Sequence, residues 1–190
     1  MILSISGASG VGKSTMISRL IAETPQSGYL RSTTTRQPRA SDAQGEYEFV
    51  TDEEFDRLSA DNAFAWKTDV AQKRYGTRAQ LVLDVLRSDV WHFAALDLSG
   101  VRTLQTAARQ HGLMTAVRSI YILSPQTETL RRRMRKRGDS DTQIEARLAA
   151  CASWDTEALH TTAARLEFMR DHDNLDEKLD FARSRILTRR

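Results

Sequence analysis

One short stretch near the amino terminus has the residue types and the spacing of a phosphate-binding loop. Residues 7–14 read Gly-Ala-Ser-Gly-Val-Gly-Lys-Ser and fit the pattern G-x-x-x-x-G-K-[ST]. Backbone N–H groups of such a loop converge on phosphate oxygens, Lys13 can reach the β- and γ-phosphates, and Ser14 can ligate Mg²⁺. The pattern predicts binding of a nucleoside triphosphate by Gly7, Ala8, Ser9, Gly10, Val11, Gly12, Lys13, Ser14 and Thr15.

The segments on either side of this loop are the ones needed to position it. Residues 1–6 are mostly apolar and indicate a short buried strand. After the loop, Met16, Ile17, Leu20 and Ile21 fall on one face of a helix. A glycine-rich turn with an incidental lysine is the alternative, but the strand–loop–helix context favours a phosphate site.

Two basic segments are candidates for further anion binding. Residues 32–39 have no helical period, and a proline stiffens the loop between Arg36 and Arg39, which favours a preorganised anion site over ordinary loop arginines. The run at residues 131–137 could be an exposed helix face, a nucleic-acid patch or a lid that closes over phosphates. It contains no aromatic residue, so we expect no nucleic-acid partner. Gly138 follows as a hinge, which favours the lid.

Composition limits the classes of protein to which the chain can belong. Its 190 residues are 40% hydrophobic and 28% charged, with a formal net charge of +3, as expected of a folded globular protein. No apolar run reaches the roughly 20 residues needed to cross a membrane, and no signal peptide is evident, so no membrane partner is expected. The single Cys151 cannot form an internal disulfide and is interpreted as a packing residue, which suits a cytoplasmic protein. Self-association is left open.

Strand and helix patterns alternate along most of the chain, which predicts an α/β fold with a central parallel sheet flanked by helices. An apolar run at residues 90–96 ends in Asp97, as a buried parallel strand would. Two stretches interrupt the alternation. Short strands and turns in residues 32–77 indicate a small antiparallel insertion, and residues 137 to about 161 indicate a helical excursion.

Several motifs along the chain together resemble those of the guanylate kinases. They are the Ser32-Thr-Thr-Thr-Arg36-Gln-Pro-Arg39 segment, Gly45-Glu-Tyr-Glu-Phe49, Tyr75-Gly76-Thr77, Leu96-Asp-Leu-Ser-Gly-Val101, Arg133-Met-Arg-Lys-Arg137-Gly138, Glu145-Ala-Arg147-Leu148 and Asp173-Asn-Leu-Asp176. The resemblance implies a P-loop NTPase fold with a small mixed α/β acceptor-binding insertion and a helical lid. It also implies three parts: a core (1–31, 78–136 and 163–190), an acceptor-binding subdomain (32–77) and a lid region (137–162).

The resemblance implies a role for each matching residue. The acceptor nucleotide would be bound by Ser32, Arg36, Arg39, Tyr47, Tyr75, Thr77 and Asp97, and Trp66, where the family has another residue, is expected to lie against its base or sugar. Within this set, two arginines and two tyrosines would clamp the 5′-phosphate, since guanidinium groups and phenols can fix a dianion. Asp97 either reads the base or, from its place at a strand end, contributes indirectly to a Mg²⁺ site. The moving phosphoryl group would be stabilised by Lys13, Arg133, Arg137 and Arg147.

The chain also departs from the family at positions that read the base. The guanine-reading glutamate falls on Trp66, whose indole N–H can only donate a hydrogen bond. Asp69 is three residues further on, so on a strand it would face the opposite side. Three other family positions, an aspartate, a tyrosine and an asparagine, are occupied by Ala95, Arg74 and His172.

The predicted function is therefore a Mg²⁺-dependent kinase that transfers the γ-phosphoryl group of ATP to a nucleoside monophosphate, in the first place GMP or dGMP. The changed base-reading positions also fit an acceptor with a different or modified base, or ribose 1,5-bisphosphate. A non-catalytic binding module of the same fold is a further hypothesis, which the intact loop at Gly12, Lys13 and Ser14 disfavours.

Overall fold

The computed structural model describes residues 1–39, 42–70, 72–170 and 174–187, so His172 and Asp173 lie outside the described residues. In chain order, the strands are β1 (Ile2–Gly7), β2 (Gly28–Tyr29), β3 (Ser32–Thr34), β4 (Tyr47–Phe49), β5 (Phe64–Val70), β6 (Lys73–Arg78), β7 (His92–Ala95), β8 (Val117–Leu123) and β9 (Glu167–Arg170). The helices are α1 (Lys13–Glu23), α2 (Asp52–Ala60), α3 (Ala79–Arg87), α4 (Leu98–Gln110), α5 (Thr127–Lys136), α6 (Asp141–Cys151), α7 (Trp154–His160) and α8 (Leu175–Leu187).

The core is a parallel sheet of five strands in the order β2-β7-β1-β8-β9, which confirms the predicted α/β fold. β1 lies at its centre, and all six of its residues are buried. On one side, Leu3 and Ile5 pack with α1 and α8. On the other, Ile2 packs with side chains of α3 and α4. Because carboxyl ends of parallel strands share one edge, the loop after β1 and Asp97 after β7 lie at the same edge.

A second sheet has four strands in the order β4-β3-β6-β5. β6 is antiparallel to β3 and to β5, but β3 and β4 pair in parallel. The expectation of an antiparallel insertion therefore holds for the pairs of β6 with β3 and β5 and was wrong for the pair of β3 and β4. Residues 35–46 connect the two strands, and a connection of a dozen residues is long enough for a parallel pair.

The region that follows the basic run is helical, as predicted, and forms the two helices α6 and α7. Ser140 begins α6 with a capping box, in which its hydroxyl accepts from the Gln143 N–H and the Gln143 side chain accepts from the Ser140 N–H. α7 is tied to the end of β8 because Asp155 accepts from the Tyr121 hydroxyl at 2.9 Å and from the Ser124 N–H at 2.8 Å. In the described part of the chain, no helix combines the length and apolar character required to span a bilayer.

Candidate active site

The loop after β1 turns the chain from the sheet into α1. Gly7 has a φ of 135°, and a Cβ atom there would lie 2.5 Å from the carbonyl oxygen of Ile122 on the neighbouring strand. Gly12, which caps α1, has a φ of 96°. Side chains other than hydrogen are disfavoured at both positions, because L-residues rarely adopt these φ values. The glycines of the sequence motif therefore shape a tight loop at the start of a helix.

Cationic side chains donate hydrogen bonds to the carbonyl groups of this loop. Lys13 Nζ donates to the carbonyl oxygens of Gly7 at 2.8 Å and Ala8 at 2.9 Å. Arg133 Nη1 donates to the carbonyl of Gly10 at 3.4 Å. In a trans peptide the C=O and the following N–H point in opposite directions. Fixing the carbonyls on one side therefore helps to present loop N–H groups on the other.

The environment of Lys13 in the loop disfavours its charged form. Burial is the largest influence on Lys13; together with the nearby Arg137 and Arg147, and against the opposing effect of Cys151, it lowers the pKa of Lys13 to about 8. A lowered lysine pKa means that the charged form is destabilised in the empty loop. An anion placed beside Lys13 would relieve this destabilisation, so the loop is suited to a phosphate.

Three of the predicted catalytic arginines lie beside the loop. Arg147 Nη1 contacts the Ser9 hydroxyl at 3.3 Å, and Arg133 contacts the loop carbonyl of Gly10. Arg137 forms an ion pair with Asp139, whose carboxylate is also 3.9 Å from Arg147. Asp139 thus gathers two arginines at the position where a triphosphate would require positive charge.

The second sheet brings most of the predicted acceptor residues to one of its faces. Residues paired across neighbouring strands point to the same face, and residues two apart on one strand do so as well. This face, here called the inner face, is defined by three cross-strand pairs: Tyr47–Ser32, Thr34–Tyr75 and Trp66–Thr77. The inner face carries Ser32, Thr34, Tyr47, Phe49, Trp66, Thr68, Tyr75 and Thr77. Five of the eight predicted acceptor residues are thus side by side.

One end of the inner face carries a buried cation. The Arg36 side chain is only 8% exposed and forms a bidentate ion pair with Asp42, at 2.8 and 3.1 Å. Its guanidinium also lies 4.8 Å from the ring centroid of Tyr47, which in turn is 6.2 Å from that of Tyr75. The predicted phosphate clamp is therefore assembled around Arg36.

The ion pair controls the ionisation of both partners. Burial alone would lower the pKa of Arg36, but the hydrogen bond and the charge of Asp42 outweigh burial and raise it above its ordinary value. For Asp42, partial burial is outweighed by the hydrogen bonds from Arg36 and from the Arg39 N–H, so its pKa is lowered. The Arg39 side chain itself is exposed. Arg36 is thus a permanent cation held by an internal carboxylate.

The other end of the inner face meets the edge of the core sheet. Ser32 Oγ and Thr77 Oγ1 lie 3.5 Å apart, in the same cross-strand row as Trp66. Two residues after Trp66 on β5, Thr68 donates a hydrogen bond to Asp97 Oδ2 at 3.2 Å. The other carboxylate oxygen, Asp97 Oδ1, accepts from the Gly100 N–H at 2.7 Å and so caps α4. The part of the site assigned to the base therefore contains hydroxyls, one carboxylate and an indole.

The opposite face of this sheet carries one of the changed positions, Arg74, together with Asp69. Asp69 pairs with Arg74 across β5 and β6, and both lie on the face away from Trp66. Arg74 binds Asp52 at 2.7 Å and also pairs with Asp56, so it attaches α2 to the sheet. Asp69 cannot take the place of the missing glutamate on the inner face.

The oxygen atoms available at the core edge fit a Mg²⁺ ion that is bound largely by its nucleotide. Ser14 is exposed at the start of α1, and Asp97 has both oxygens engaged by hydrogen bonds. Among the described residues, no three His, Cys, Asp or Glu side chains lie close enough to form a metal site. Mg²⁺ commonly uses one or two protein ligands and completes its shell with phosphate oxygens and water, so the sparse protein ligand set is compatible with Mg²⁺.

Three residues that contact the predicted site residues were not predicted from the sequence: Asp42, Thr68 and Asp139. Asp42 and Asp139 are each an acidic residue next to a basic segment, which was a usable signal for an internal ion pair. Thr68 could have been found from the period of two on β5, since it follows Trp66 by two residues.

Comparison with known proteins gives one consistent result. A family model described as Guanylate kinase matches residues 1–180. The chain is 37% identical to guanylate kinase of Streptomyces kasugaensis over 148 residues, which are 77% of this chain and 69% of that protein. It is 32% identical to guanylate kinase of Saccharophagus degradans over 188 residues, 98% of this chain and 86% of that protein. The crystal structure of guanylate kinase from Anaplasma phagocytophilum superimposes with a TM-score of 0.67 at 25% identity, covering 97% of this chain and 82% of that one.

These matches cover both the core and the second sheet, and they agree with the loop motif and the parallel sheet described above. The chain therefore belongs to the guanylate kinase family and is a nucleoside monophosphate kinase with the P-loop NTPase fold.

Proposed function

We propose that this kinase transfers the γ-phosphoryl group of ATP to the 5′-phosphate of GMP or dGMP and releases ADP and the nucleoside diphosphate. The bond between the γ-phosphorus and the β–γ bridging oxygen breaks, and a bond from an acceptor phosphate oxygen to the γ-phosphorus forms. The observation that carries this proposal is the pairing of two cationic sites: the loop with Lys13, and Arg36 on the inner face. A general base is not required, because a phosphate monoester is mainly a dianion near neutral pH.

On the donor side, loop N–H groups and Lys13 bind the phosphates of ATP. Arg133, Arg137 and Arg147 supply positive charge to the transferred group, whose transition state spreads negative charge over its outer oxygens. Residues 137–162 would act as the lid that brings these charges in and excludes water, which keeps ATP from being hydrolysed. Asp139 would compete with the arriving phosphates for the N–H donors of Arg137.

On the acceptor side, the 5′-phosphate would take over the guanidinium of Arg36, with Arg39, Tyr47 and Tyr75 around it. Ser32, Thr77 and Asp97 would contact the base, and residues 32–77 would move as one subdomain. Arg36 is buried, so its interaction with a phosphate is less screened by solvent than that of an exposed arginine. Asp42 holds Arg36 in place until the acceptor binds.

Mg²⁺ would be held by ATP oxygens, by the Ser14 hydroxyl and, through water, by Asp97. When bound, it would neutralise charge on the phosphates and orient them.

A second candidate is a kinase of the same fold whose acceptor has a base other than guanine. The supporting observation is Trp66, which lies in the row of Ser32 and Thr77 where a carboxylate would be needed to accept from guanine N1–H and N2–H₂. A site that reads a base without those two hydrogen bonds discriminates poorly among purines. Ribose 1,5-bisphosphate, which has no base, is the extreme case.

A coupled assay of ADP release separates these possibilities. ATP and Mg²⁺ are incubated with each ribo- and deoxyribonucleoside monophosphate and with ribose 1,5-bisphosphate. We expect the highest kcat/KM with GMP or dGMP. Clear turnover of another acceptor without turnover of GMP or dGMP would contradict the proposed substrate and support the second candidate. Absence of turnover with every acceptor would contradict both.

A further inference from the structure

A second lysine reaches the phosphate loop from the far end of the chain. Lys178 lies on α8, and its Nζ donates to the carbonyl oxygen of Val11 at 3.1 Å. A Cβ atom added at Gly12 would lie 3.8 Å from the same nitrogen. A residue separated by 167 positions from the loop thus binds the loop backbone.

The burial of Lys178 is unusual for its residue type. Its exposed fraction is 4%, and lysine side chains are mostly exposed. Among the described residues, the buried charged side chains are Arg36 and Lys178. Arg36 belongs to the acceptor phosphate clamp, and Lys178 lies against the loop assigned to the donor phosphates. Each phosphate site therefore has its own buried cation.

The contact with Val11 has a geometric consequence for the loop. The carbonyl of Val11 and the N–H of Gly12 belong to one trans peptide, so they point in opposite directions. Since Lys178 holds the carbonyl toward α8, the Gly12 N–H is directed to the other side, away from α8. Lys13 acts in the same manner on Gly7 and Ala8. Two lysines thus orient peptides at the two ends of the loop.

We infer that Lys178 is a positioning residue for the phosphates of the donor nucleotide, acting through the Val11–Gly12 peptide and through its positive charge. This inference rests on the proposal that the loop binds ATP. Nothing in the loop motif identifies Lys178, because it lies outside the contiguous pattern and reaches the loop only through the packing of α8 against α1.

Binding measurements on Lys178→Met test the inference, since methionine keeps most of the side-chain volume but removes the donor and the charge. Dissociation constants for ADP and for GMP are measured by titration calorimetry in the wild type and in each variant. We expect Lys178→Met to weaken ADP binding about tenfold, in line with the loss of one charged hydrogen bond, with GMP binding changed by less than about twofold. Lys178→Arg, which keeps a cationic donor, should restore part of the ADP affinity.

Arg183→Met is the matched control on the same helix. Arg183 is more exposed and pairs with Glu23 at the end of α1, so this variant weakens the attachment of α8 without touching the loop. It should bind ADP as the wild type does. If Arg183→Met loses as much ADP affinity as Lys178→Met, or if Lys178→Met weakens ADP and GMP equally, Lys178 has only a structural role and the inference is wrong.

Two further outcomes are distinguishable. If Lys178→Met does not fold, the dissociation constants are measured for Lys178→Gln instead. Glutamine keeps a hydrogen-bond donor for Val11 but has no charge. Unchanged ADP affinity in Lys178→Gln would overturn the role of the charge. If the wild type itself does not bind ADP, the proposed donor site fails, whereas normal ADP binding in both the wild type and Lys178→Met refutes only the inference about Lys178.

Discussion

The donor and acceptor halves of the site are built in different ways. The proposed donor half is a contiguous loop of eight residues, whose backbone would form the binding surface and whose carbonyls accept hydrogen bonds from Lys13, Arg133 and Lys178. The acceptor half is assembled from side chains on four strands, around Arg36 and Trp66. A binding surface made of backbone groups stays the same when a side chain is replaced by another that allows the same backbone conformation. A binding surface made of side chains changes with each substitution. The comparison explains how the loop can keep the family pattern while the base-reading face departs from it.

In both halves, an aspartate of the chain forms an ion pair with one of the arginines. Asp42 binds Arg36 in the acceptor half, and Asp139 binds Arg137 in the donor half. The acceptor pair is buried and bidentate, whereas Arg137 is exposed. Because solvent screens an exposed pair more strongly, we expect the Asp42–Arg36 ion pair to be stronger than the Asp139–Arg137 ion pair.

The largest expected effect is on the donor half. Lys13→Ala should reduce kcat/KM on the order of 10³-fold, because the transferred charge loses a preorganised cation. Steady-state kinetics with ATP and GMP measure this change. Arg19→Ala, an exposed residue of the same helix, is the control and should keep wild-type activity. Full activity of Lys13→Ala would refute the proposed role of the loop.

In the acceptor half, Arg36→Met should raise the KM for GMP about 100-fold with little change in the KM for ATP, because a buried charge-assisted contact to the phosphate is lost. Arg57→Met removes an exposed cation of the same region, paired with Glu54, and should leave both KM values unchanged. An equal rise in both KM values for Arg36→Met would contradict the division of the site into two halves.

Base selection is tested at Trp66. Trp66→Glu restores an acceptor for the guanine 2-amino group, so the ratio of kcat/KM for GMP over IMP should rise at least tenfold. The control is Lys67→Glu, since Lys67 is the next residue on β5, points to the other face and contacts Ser59. A ratio that stays constant in Trp66→Glu, or rises equally in Lys67→Glu, would show that position 66 does not read the base.

The pH dependence should separate the two cations. The pKa of Lys13 is lowered to about 8 in the empty loop, and a bound phosphate favours its protonated form. ADP affinity should therefore be constant below pH 8 and fall about tenfold per pH unit above it, until the pKa of the complex is reached. GMP affinity should stay flat over the same range, because the pKa of Arg36 is raised and it remains charged. Calorimetry between pH 7 and 9.5 measures both curves, and parallel curves would be inconsistent with this assignment.

The smallest expected effect is that of Asp139→Asn. Removing this carboxylate frees Arg137 and Arg147 for the phosphates, so the KM for ATP should fall about threefold, the size expected for an exposed ion pair. Asp141→Asn is the control, since Asp141 pairs with Arg135 at the start of α6. A higher KM for ATP in Asp139→Asn would mean that the carboxylate orients the arginines productively rather than competing with the phosphates.

The contiguous motifs made much of the fold predictable. The alternation of strands and helices predicted the parallel sheet, and the apolar run at residues 90–96 predicted β7. The parallel pairing of β3 and β4 was not predictable, because both strands are only three residues long. For such short segments, direction is decided by the path of the connecting loop rather than by residue pattern.

What the sequence alone determined is the chemistry that depends on neighbours in the chain: the phosphate loop, the arginines beside it and the change at Trp66. Only the tertiary structure decided which distant groups meet. It placed Trp66 in the row of Ser32 and Thr77, joined Thr68 to Asp97, and brought Lys178 to Val11. The physical reason is that strand register and helix packing are set by burial of apolar surface over the whole chain, so contacts between residues far apart in sequence leave no local pattern to read.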